Sequence, residues 1–164
     1  MSDYEITTTE VPLMRVAILP DIIESYAKVG RLFKELHAAL QENDIEPIGP
    51  QLAIYLDEEY TPHNVAVAAA VPVKVPLGTK MPEDIRVQFD DLPGDLMVSL
   101  VRTGPWDDFR PAYQAIRDWV EANGYQIAGP NREIHLRGPG SGVPPEQFEI
   151  EIQFPIQKRE NKQL

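Results

Sequence analysis

The feature that most constrains the fold of this chain is an internal repeat. Residues 43–56 recur at 123–136, and the offset between Gly49 and Gly129 is 80 residues. Asn, Gly, Pro, Ile and Leu recur in register within these segments, which is the signature of a duplicated supersecondary unit. Further matches follow in the same order: residues 10–12 with 91–93, Tyr26 with Trp106, Val29, Phe33, Leu36 and Leu40 with Phe109, Tyr113, Ile116 and Val120, and residues 65–73 with 148–156. We therefore predict two equivalent halves.

Each half contains one amphipathic helix. Apolar residues recur every three or four positions from Ile22 to Gln41, which is the spacing of one helical face. The same spacing returns between Phe109 and Val120, and Pro111 falls in the first turns, where proline is tolerated. Asn43-Asp44 and Asn123-Gly124 are predicted to end the two helices. The pattern of each half is thus β-α-β-β.

Strands account for most of the remaining pattern. Predicted strands are 14–19 and 95–101 before the helices, two segments entered through Gly49-Pro50 and Gly129-Pro130, 65–73 and 148–156 at the ends of the halves, and an added edge strand at 85–89. In the last of the paired strands, Phe148, Ile150 and Ile152 alternate with polar residues, so one face is apolar. Its first-half counterpart, 65–73, is apolar almost throughout, which predicts burial on both faces.

The domain organisation follows from the repeat. We expect a single domain over 1–164, with a first repeat at about 6–73 and a second at about 85–157. A Pro- and Gly-rich linker at about 74–84 joins them. The polar tail, 158–164, is expected to fray.

Composition excludes several functional classes. The net charge is −11 and the isoelectric point is near 4.6, which argues against direct binding to nucleic acid or to anionic membrane surfaces. Cysteine is absent, so thiolate chemistry and disulfides are excluded. The N-terminus has neither the basic nor the apolar region of a signal peptide, and no apolar run approaches the roughly 20 residues that span a bilayer. We expect a cytoplasmic protein.

Motifs for cofactors and metals are also missing. The sequence has no P-loop, dinucleotide fingerprint or Gly-x-Ser-x-Gly motif, so we expect no cofactor and no serine nucleophile. His37, His63 and His135 do not have the spacing of metal ligands. The acidic groups Asp57-Glu58-Glu59 and Asp107-Asp108 are interpreted as solvated turn and helix-start charges.

The order of these signals resembles the GyrI-like domain, which is also the effector-binding domain of multidrug-responsive transcription activators. The resemblance depends on Asp91-Leu92-Pro93-Gly94, on Thr103-Gly104-Pro105-Trp106 with the helix after it, on residues 129–136 and on the closing strand 148–156. It covers about residues 6–157. Each motif is short, and their order and spacing carry the likeness. No DNA-binding segment is apparent before the domain, so we do not expect this chain alone to act as a transcription factor.

The resemblance implies an α+β fold of duplicated β-α-β-β units with pseudo-twofold symmetry around a central ligand cleft. It also implies a functional glutamate on the late strand, which falls on Glu133. In drug-binding relatives that carboxylate lies among aromatic side chains and pairs with lipophilic cations. Trp106 and His135 stand where relatives commonly carry tyrosine, which puts the identity of the ligand in question.

The strand around Glu133 carries the central hypothesis for the site. On a strand, Glu133 and His135 point to one face, and Ile134 and Leu136 point to the other, where we expect a core role. Without the resemblance, Glu133 is interpreted as a solvated strand residue; with it, as a ligand contact. A carboxylate enclosed by rings is costly to desolvate, so it favours a cation.

Aromatic residues supply the rest of the expected site. Trp106, Tyr26 and Tyr55 are candidate ring faces for a cation, and Tyr55 mirrors His135 in the repeat. Trp106 and Tyr26 could instead be core residues at the helix starts. Phe109 and Tyr113 are also site candidates, although packing is the plainer role for these two residues and for Trp119 on the second helix.

Three functions remain open from the sequence. The first is a module that binds amphipathic, cationic or aromatic small molecules. The second, which the resemblance implies because some members of the family act in this way, is a hydrolase of strained, cyclopropane-type genotoxins in which Glu133 is the catalytic residue. The third is a protein-interaction role, such as inhibition of DNA gyrase, as some members of the family have. A monomer is compatible with all three, because duplicated halves already complete a dimer-like architecture.

Overall fold

The chain folds into two compact units. A computed structural model describes residues 4–57 and 61–160. The terminal unit comprises residues 4–11 and 95–160, and the central unit corresponds to Pro12–Gly94. The elements are, in chain order, β1 Ile6–Val11, β2 Met14–Ile23, α1 Val29–Glu42, β3 Leu52–Tyr55, β4 Val65–Pro72, β5 Gln88–Leu92, β6 Asp95–Thr103, α2 Arg110–Ala122, β7 Tyr125–Ile127, β8 Asn131–Arg137 and β9 Glu149–Lys158. Single 3-10 turns occupy Tyr26–Lys28 and Pro145–Gln147.

The central unit consists of four antiparallel strands and helix α1. The strand order is β3-β4-β2-β5. Leu32, Leu36 and Leu40 of α1 are buried in one cluster with Leu19 and Val67 of the sheet, because their spacing places them on one helical face. Strand β4 is buried along nearly its whole length, which confirms the prediction from its apolar sequence.

The terminal unit has the same layered construction around α2. Its strand order is β1-β6-β9-β8, and β7 pairs with the last residues of β9. Ile116 and Val120 of α2 pack on Ile150 and Ile152 of β9 and on Leu100 of β6. The predicted alternation along β9 is confirmed, since Ile150, Ile152 and Phe154 face the core and Glu151 and Gln153 lie between them on the other face.

Two edge strands pair outside their own sequence repeat. β1 belongs to the first repeat but pairs within the terminal unit, and β5 belongs to the second repeat but pairs within the central unit. β1 is separated from β2 by only Pro12 and Leu13, yet it pairs with β6. β5 is followed directly by β6 beyond Pro93 and Gly94, yet it pairs with β2. The segments Pro12-Leu13 and Pro93-Gly94 therefore do not form hairpin turns between paired strands. The compact units differ in this respect from the two sequence repeats, which run straight along the chain.

Two predicted boundaries are wrong. The first helix does not begin at Ile22, because Ile22 and Ile23 continue β2 and pair with Ala66 and Val65 of β4. Burial of Ile23, only 1% exposed, favours the strand over helical spacing at this point. The added edge strand lies at Gln88–Leu92 rather than at 85–89, because its ladder to β2 extends as far as the pair Leu92 and Met14.

The helix ends match their sequence signals. Asp44 and Gly124 adopt left-handed backbone angles, with φ of 56° and 77°, and such residues commonly follow a helix C-terminus. Asn43 and Asn123 are the C-caps, and their side-chain amides donate hydrogen bonds at 2.8 Å to backbone carbonyls one turn earlier. Pro111 lies in the first turn of α2, as predicted.

The remaining predictions concern the charged segments. β9 continues through Lys158, and the N–H of Arg159 donates to the carbonyl of Gly124 at 3.0 Å, so the prediction of fraying is wrong at these two positions. Residues 161–164 lie outside the described residues, as do Glu58 and Glu59. Asp57 accepts a hydrogen bond from the N–H of Ala66 at 2.9 Å.

Within the described ranges, no helix has the length and apolarity needed to cross a bilayer.

Candidate functional site

Glu133 is a buried carboxylate in the layer between sheet and helix of the terminal unit. It lies in β8 opposite Ile152 of β9, and directly paired residues share one face of a sheet. Ile152 belongs to the core beneath α2, so Glu133 points toward the same helix. The residue is 7% exposed, so its interpretation as a solvated strand residue is wrong.

A short chain of hydrogen bonds ends on this carboxylate. The phenol of Tyr113, on α2, donates to Oε2 of Glu133. The side-chain amide of Asn131 donates to Oη of Tyr113 at 2.8 Å. Asn131 is two residues before Glu133 on β8 and is also buried. The arrangement fixes the direction of the carboxylate by two neutral groups.

Tyr113 combines packing with this polar contact. Its ring meets the ring of Phe154 edge-on, with centroids 5.7 Å apart, and the guanidinium of Arg117 lies 5.9 Å from its centroid. The core role predicted for Tyr113 is therefore correct for the ring, while the hydroxyl belongs to the candidate site.

Trp106 packs beside His135 at the end of the same layer. The two ring centroids are 4.7 Å apart and tilted by 49°, and Phe148 lies 5.6 Å from the indole on another side. Gly138 makes this position possible, because a Cβ there would lie 2.4 Å from Cη2 of Trp106. The indole Nε1 is buried and has no hydrogen-bond partner in the described part of the chain, which leaves one donor for another acceptor.

His135 is neutral at physiological pH. Burial lowers the pKa of His135 to about 4, because desolvation disfavours the imidazolium ion. His135 shares its sheet face with Glu133, because its partner Ile150 lies two positions before Ile152, which is the partner of Glu133. The imidazole therefore presents an uncharged ring on the face that carries the carboxylate.

Arg102 anchors the loop that carries Trp106 into α2. Its guanidinium donates to the carbonyl of Pro105 at 2.7 Å and pairs with Asp107 at 2.5 Å. The same group lies 4.4 Å from the ring centroid of Phe109, just before α2. Asp107 is thus an ion-pair partner rather than a purely solvated charge, and Phe109 contacts a cation of the protein itself.

Tyr26 and Tyr55 are brought together in the central unit. Their ring centroids are 5.4 Å apart and tilted by 56°. Oη of Tyr26 also accepts a hydrogen bond from the N–H of Thr61 at 3.3 Å. The pair joins the position before α1 to the end of β3, just as Trp106 and His135 join the position before α2 to β8.

The core role predicted for Ile134 and Leu136 is wrong. Leu136 is 40% exposed, and neither residue belongs to the buried cluster beneath α2. Strand pairing gives the reason: Ile134 lies opposite Glu151, on the sheet face away from α2. Glu133 and His135 face the helix instead. The expectation that the apolar residues of β8 point to the core therefore selected the wrong face of the strand.

Sequence reasoning missed three residues of this arrangement, namely Asn131, Phe148 and Arg102. One signal could have found Asn131, because strand alternation places residues 131, 133 and 135 on one face. The contacts of Phe148 and Arg102 depend on loops whose paths carry no periodic signal.

Other candidate sites are limited. In the stretches 4–57 and 61–160, no three His, Asp or Glu side chains are grouped to hold a metal ion. An open groove of about 460 Å³ in the central unit is lined by residues that include Leu13, Ile48 and Leu77. It contains none of the predicted site residues.

The chain belongs to the family of GyrI-like small molecule binding domains, which it matches over residues 4–157. A comparison with curated protein sequences finds no significant match.

Solved structures share this fold. The crystal structure of the EcmrR C-terminal domain superposes with a TM-score of 0.87 at 24% identity, covering 96% of this chain and 99% of that one. EcmrR in its cryo-EM complex with DNA gives 0.86 at 23% identity; the match covers 95% of this chain and 58% of that longer chain. A hydrolase from Listeria innocua gives 0.67 at 12% identity, with 96% and 94% covered. SAV2435 bound to tetraphenylphosphonium gives 0.58 at 9% identity, with 93% and 94% covered. Identities this low establish the fold alone.

Proposed function

We propose that this protein captures amphipathic compounds that carry a positive charge or aromatic rings, with Glu133 as the charge partner. One observation carries the proposal: a carboxylate only 7% exposed lies in the apolar layer under α2 and is oriented by the phenol of Tyr113. An oriented, poorly hydrated carboxylate attracts a cation more strongly than a solvated one does.

The expected attraction is large enough to matter. At 4 Å and an effective dielectric constant near 20, two unit charges attract by about 4 kcal/mol. A ring face beneath the cation adds about 0.5–2 kcal/mol. Trp106 and the neutral ring of His135 are near neighbours that could supply such faces. Because Glu133 is enclosed, entry of a ligand requires side chains of this layer to move.

The similar structures support this class of ligand. SAV2435 was solved bound to tetraphenylphosphonium, a lipophilic cation, and the family is described by its small-molecule binding. The matched pairs Tyr26–Tyr55 and Trp106–His135 support a duplicated origin for the two β-α-β-β patterns. The central cleft and the pseudo-twofold symmetry expected from the resemblance stay predictions.

Binding of tetraphenylphosphonium, followed by tryptophan fluorescence, tests the proposal. The Trp119→Phe background leaves Trp106 as the reporter, because Trp106 and Trp119 are the two tryptophans of the chain. We expect saturable binding that Glu133→Gln weakens at least tenfold, which corresponds to about 1.4 kcal/mol. Neutral triphenylphosphine oxide should bind both proteins equally. Glu121→Gln, which removes an exposed charge on α2, is the matched control. Absence of saturation, or equal affinity in Glu133→Gln, would contradict the proposal.

A second candidate is hydrolysis of reactive, cyclopropane-type compounds. The hydrogen bond from Tyr113 to Glu133 favours it, since an oriented carboxylate could accept a proton from an attacking water. Substrate consumption over many turnovers, followed by mass spectrometry, distinguishes the two functions. In an enzyme, Glu133→Gln should lower the rate while leaving affinity nearly unchanged. Saturable binding without turnover would exclude this candidate for the compound tested.

A protein partner such as DNA gyrase is the remaining proposal. Such an interaction should respond to salt and to reversal of surface charges, and it should be insensitive to Glu133→Gln.

A further inference from the structure

The sheet of the terminal unit carries a second oriented carboxylate, on the face turned away from α2. Glu151 lies in β9, and Oγ of Ser99 donates to its Oε2 at 2.6 Å. The side-chain amide of Gln153 donates to the same oxygen at 2.9 Å. The two donors fix the carboxylate group, and Oε1 accepts no hydrogen bond from any described residue.

Apolar residues flank this carboxylate on both neighbouring strands. Val101 of β6 and Ile134 of β8 are the direct partners of Glu151 across the two ladders. Neighbouring strands are about 5 Å apart, so the three side chains form one continuous surface. Val101 is 45% exposed and Ile134 is half-buried. This surface is therefore accessible and combines one charge with apolar contacts.

Among residues 4–57 and 61–160, no lysine or arginine lies within ion-pairing distance of Glu151. Glu149, two residues earlier on the same strand, pairs with Arg137 at 3.3 Å. Arg132 lies on the same face opposite Gln153 and is buried; burial lowers the pKa of its guanidinium, and the charge of Asp95 acts in the opposite direction.

We propose that Glu151 is a second cation-binding site, which takes a primary ammonium group carried on an apolar chain or ring. The inference rests on the proposed function, from which it takes the class of ligand, and it adds a second carboxylate that binds ligands of this class. A partly exposed ion pair is weakened by water and salt, so charge alone does not hold a ligand here. An N–H donor to Oε1 adds a charge-assisted hydrogen bond, and Val101 and Ile134 contact the apolar body.

The two carboxylates should therefore select different cations. Glu133 is enclosed, and Tyr113 occupies its Oε2, which suits a bulky cation without N–H groups. Glu151 offers an open acceptor beside a shallow apolar surface, which suits a small amphiphile with N–H groups.

The experiment compares hexylammonium with hexyltrimethylammonium by NMR titration of backbone amides on the folded, full chain. The two cations share an apolar chain, but only the first can donate to Oε1. We expect saturable shifts in β6, β8 and β9 with hexylammonium and at least fivefold weaker binding of hexyltrimethylammonium. Glu151→Gln should weaken hexylammonium at least tenfold. Ser99→Ala, which keeps the charge and loses one orienting donor, should weaken it severalfold.

Two controls locate the effect. Glu149→Gln removes a charge from the same strand and should leave hexylammonium affinity unchanged. Glu133→Gln removes the carboxylate under α2, and hexylammonium should still give the saturable shifts in β6, β8 and β9. Wild-type affinity in Glu151→Gln, or equal affinity for the two cations, would overturn the inference. Hexylammonium binding that Glu133→Gln abolishes would overturn it too, and would leave the proposed function standing. If hexylammonium binds through Glu151 while tetraphenylphosphonium does not bind the wild type, the proposed function fails and this site remains.

Discussion

The phenol of Tyr113 donates a hydrogen bond to the carboxylate of Glu133 and so joins helix α2 to strand β8. The contact lies beside the apolar core of the terminal unit, where Tyr113 also packs against Phe154. A polar contact in such surroundings affects both the stability of the fold and the properties of the site.

We expect Tyr113→Phe to destabilise the protein by about 1–3 kcal/mol, because it leaves a buried acceptor on Glu133 and a buried donor on Asn131 without this partner. Urea denaturation measures the change in the free energy of unfolding. Tyr125→Phe is the matched control: it removes the same group from a ring stacked on Trp119 and should change stability by less than about 0.5 kcal/mol. Equal effects of the two variants would contradict the prediction.

Acid should destabilise the protein through His135. Its pKa is about 4 in the folded protein and about 6.5 in an unfolded chain, so between these values the unfolded state binds more protons. The free energy of unfolding should therefore fall with decreasing pH across this window, by up to about 1.4 kcal/mol per pH unit from this residue. Denaturation of His135→Phe should show a slope shallower by that amount. His63→Asn changes an exposed histidine and should leave the slope as in the wild type.

A methyl group at Gly138 should displace Trp106. The added Cβ would lie 2.4 Å from Cη2 and 2.7 Å from Cζ2 of the indole, so Gly138→Ala should cost about 1–3 kcal/mol by overpacking. In the Trp119→Phe background, the emission of Trp106 should shift as its surroundings change. Gly30→Ala meets no atom within 4 Å and lies in α1, so it should be neutral or stabilise the protein by up to about 1 kcal/mol. An unchanged emission in Gly138→Ala would show that the indole is not held in this position.

Arg102→Lys should loosen the loop before α2. Lysine keeps the charge, but it cannot donate at once to Pro105 and Asp107 with a planar group over Phe109. Amide hydrogen exchange in residues 103, 104 and 106–109 should become faster. Arg31→Lys, which alters an exposed pair with Glu24, should leave that exchange unchanged.

Local signals predicted the helices and most strands. The spacing of Ile116 and Val120 predicted α2, and the turn residues Asp44 and Gly124 marked where the helices end. Such signals work because helical periodicity and left-handed turns depend on residues close together in the chain. Family membership was also predictable, since the motifs recur in a defined order.

Pairing between distant segments was not predictable in the same way. β1 and β5 each pair with a strand of the other sequence repeat, and this pairing depends on which strand edge each segment meets rather than on a local signal. The assignment of Ile134 and Leu136 to the core failed for a related reason: the inner face of β8 is determined by its register with β9, and hydrophobicity favoured the other face.

The sequence by itself determined the family of this protein, its two helices and most of its strands, because these follow from spacing and residue type along the chain. Glu133 was the residue to examine because the resemblance to the family pointed to it. Only the tertiary structure decided that Glu133 is buried, that Tyr113 and Asn131 orient its carboxylate, and that Glu151 is held in the same manner on the opposite face. These relationships join side chains up to 52 positions apart, and they exist only once helix and strands have packed.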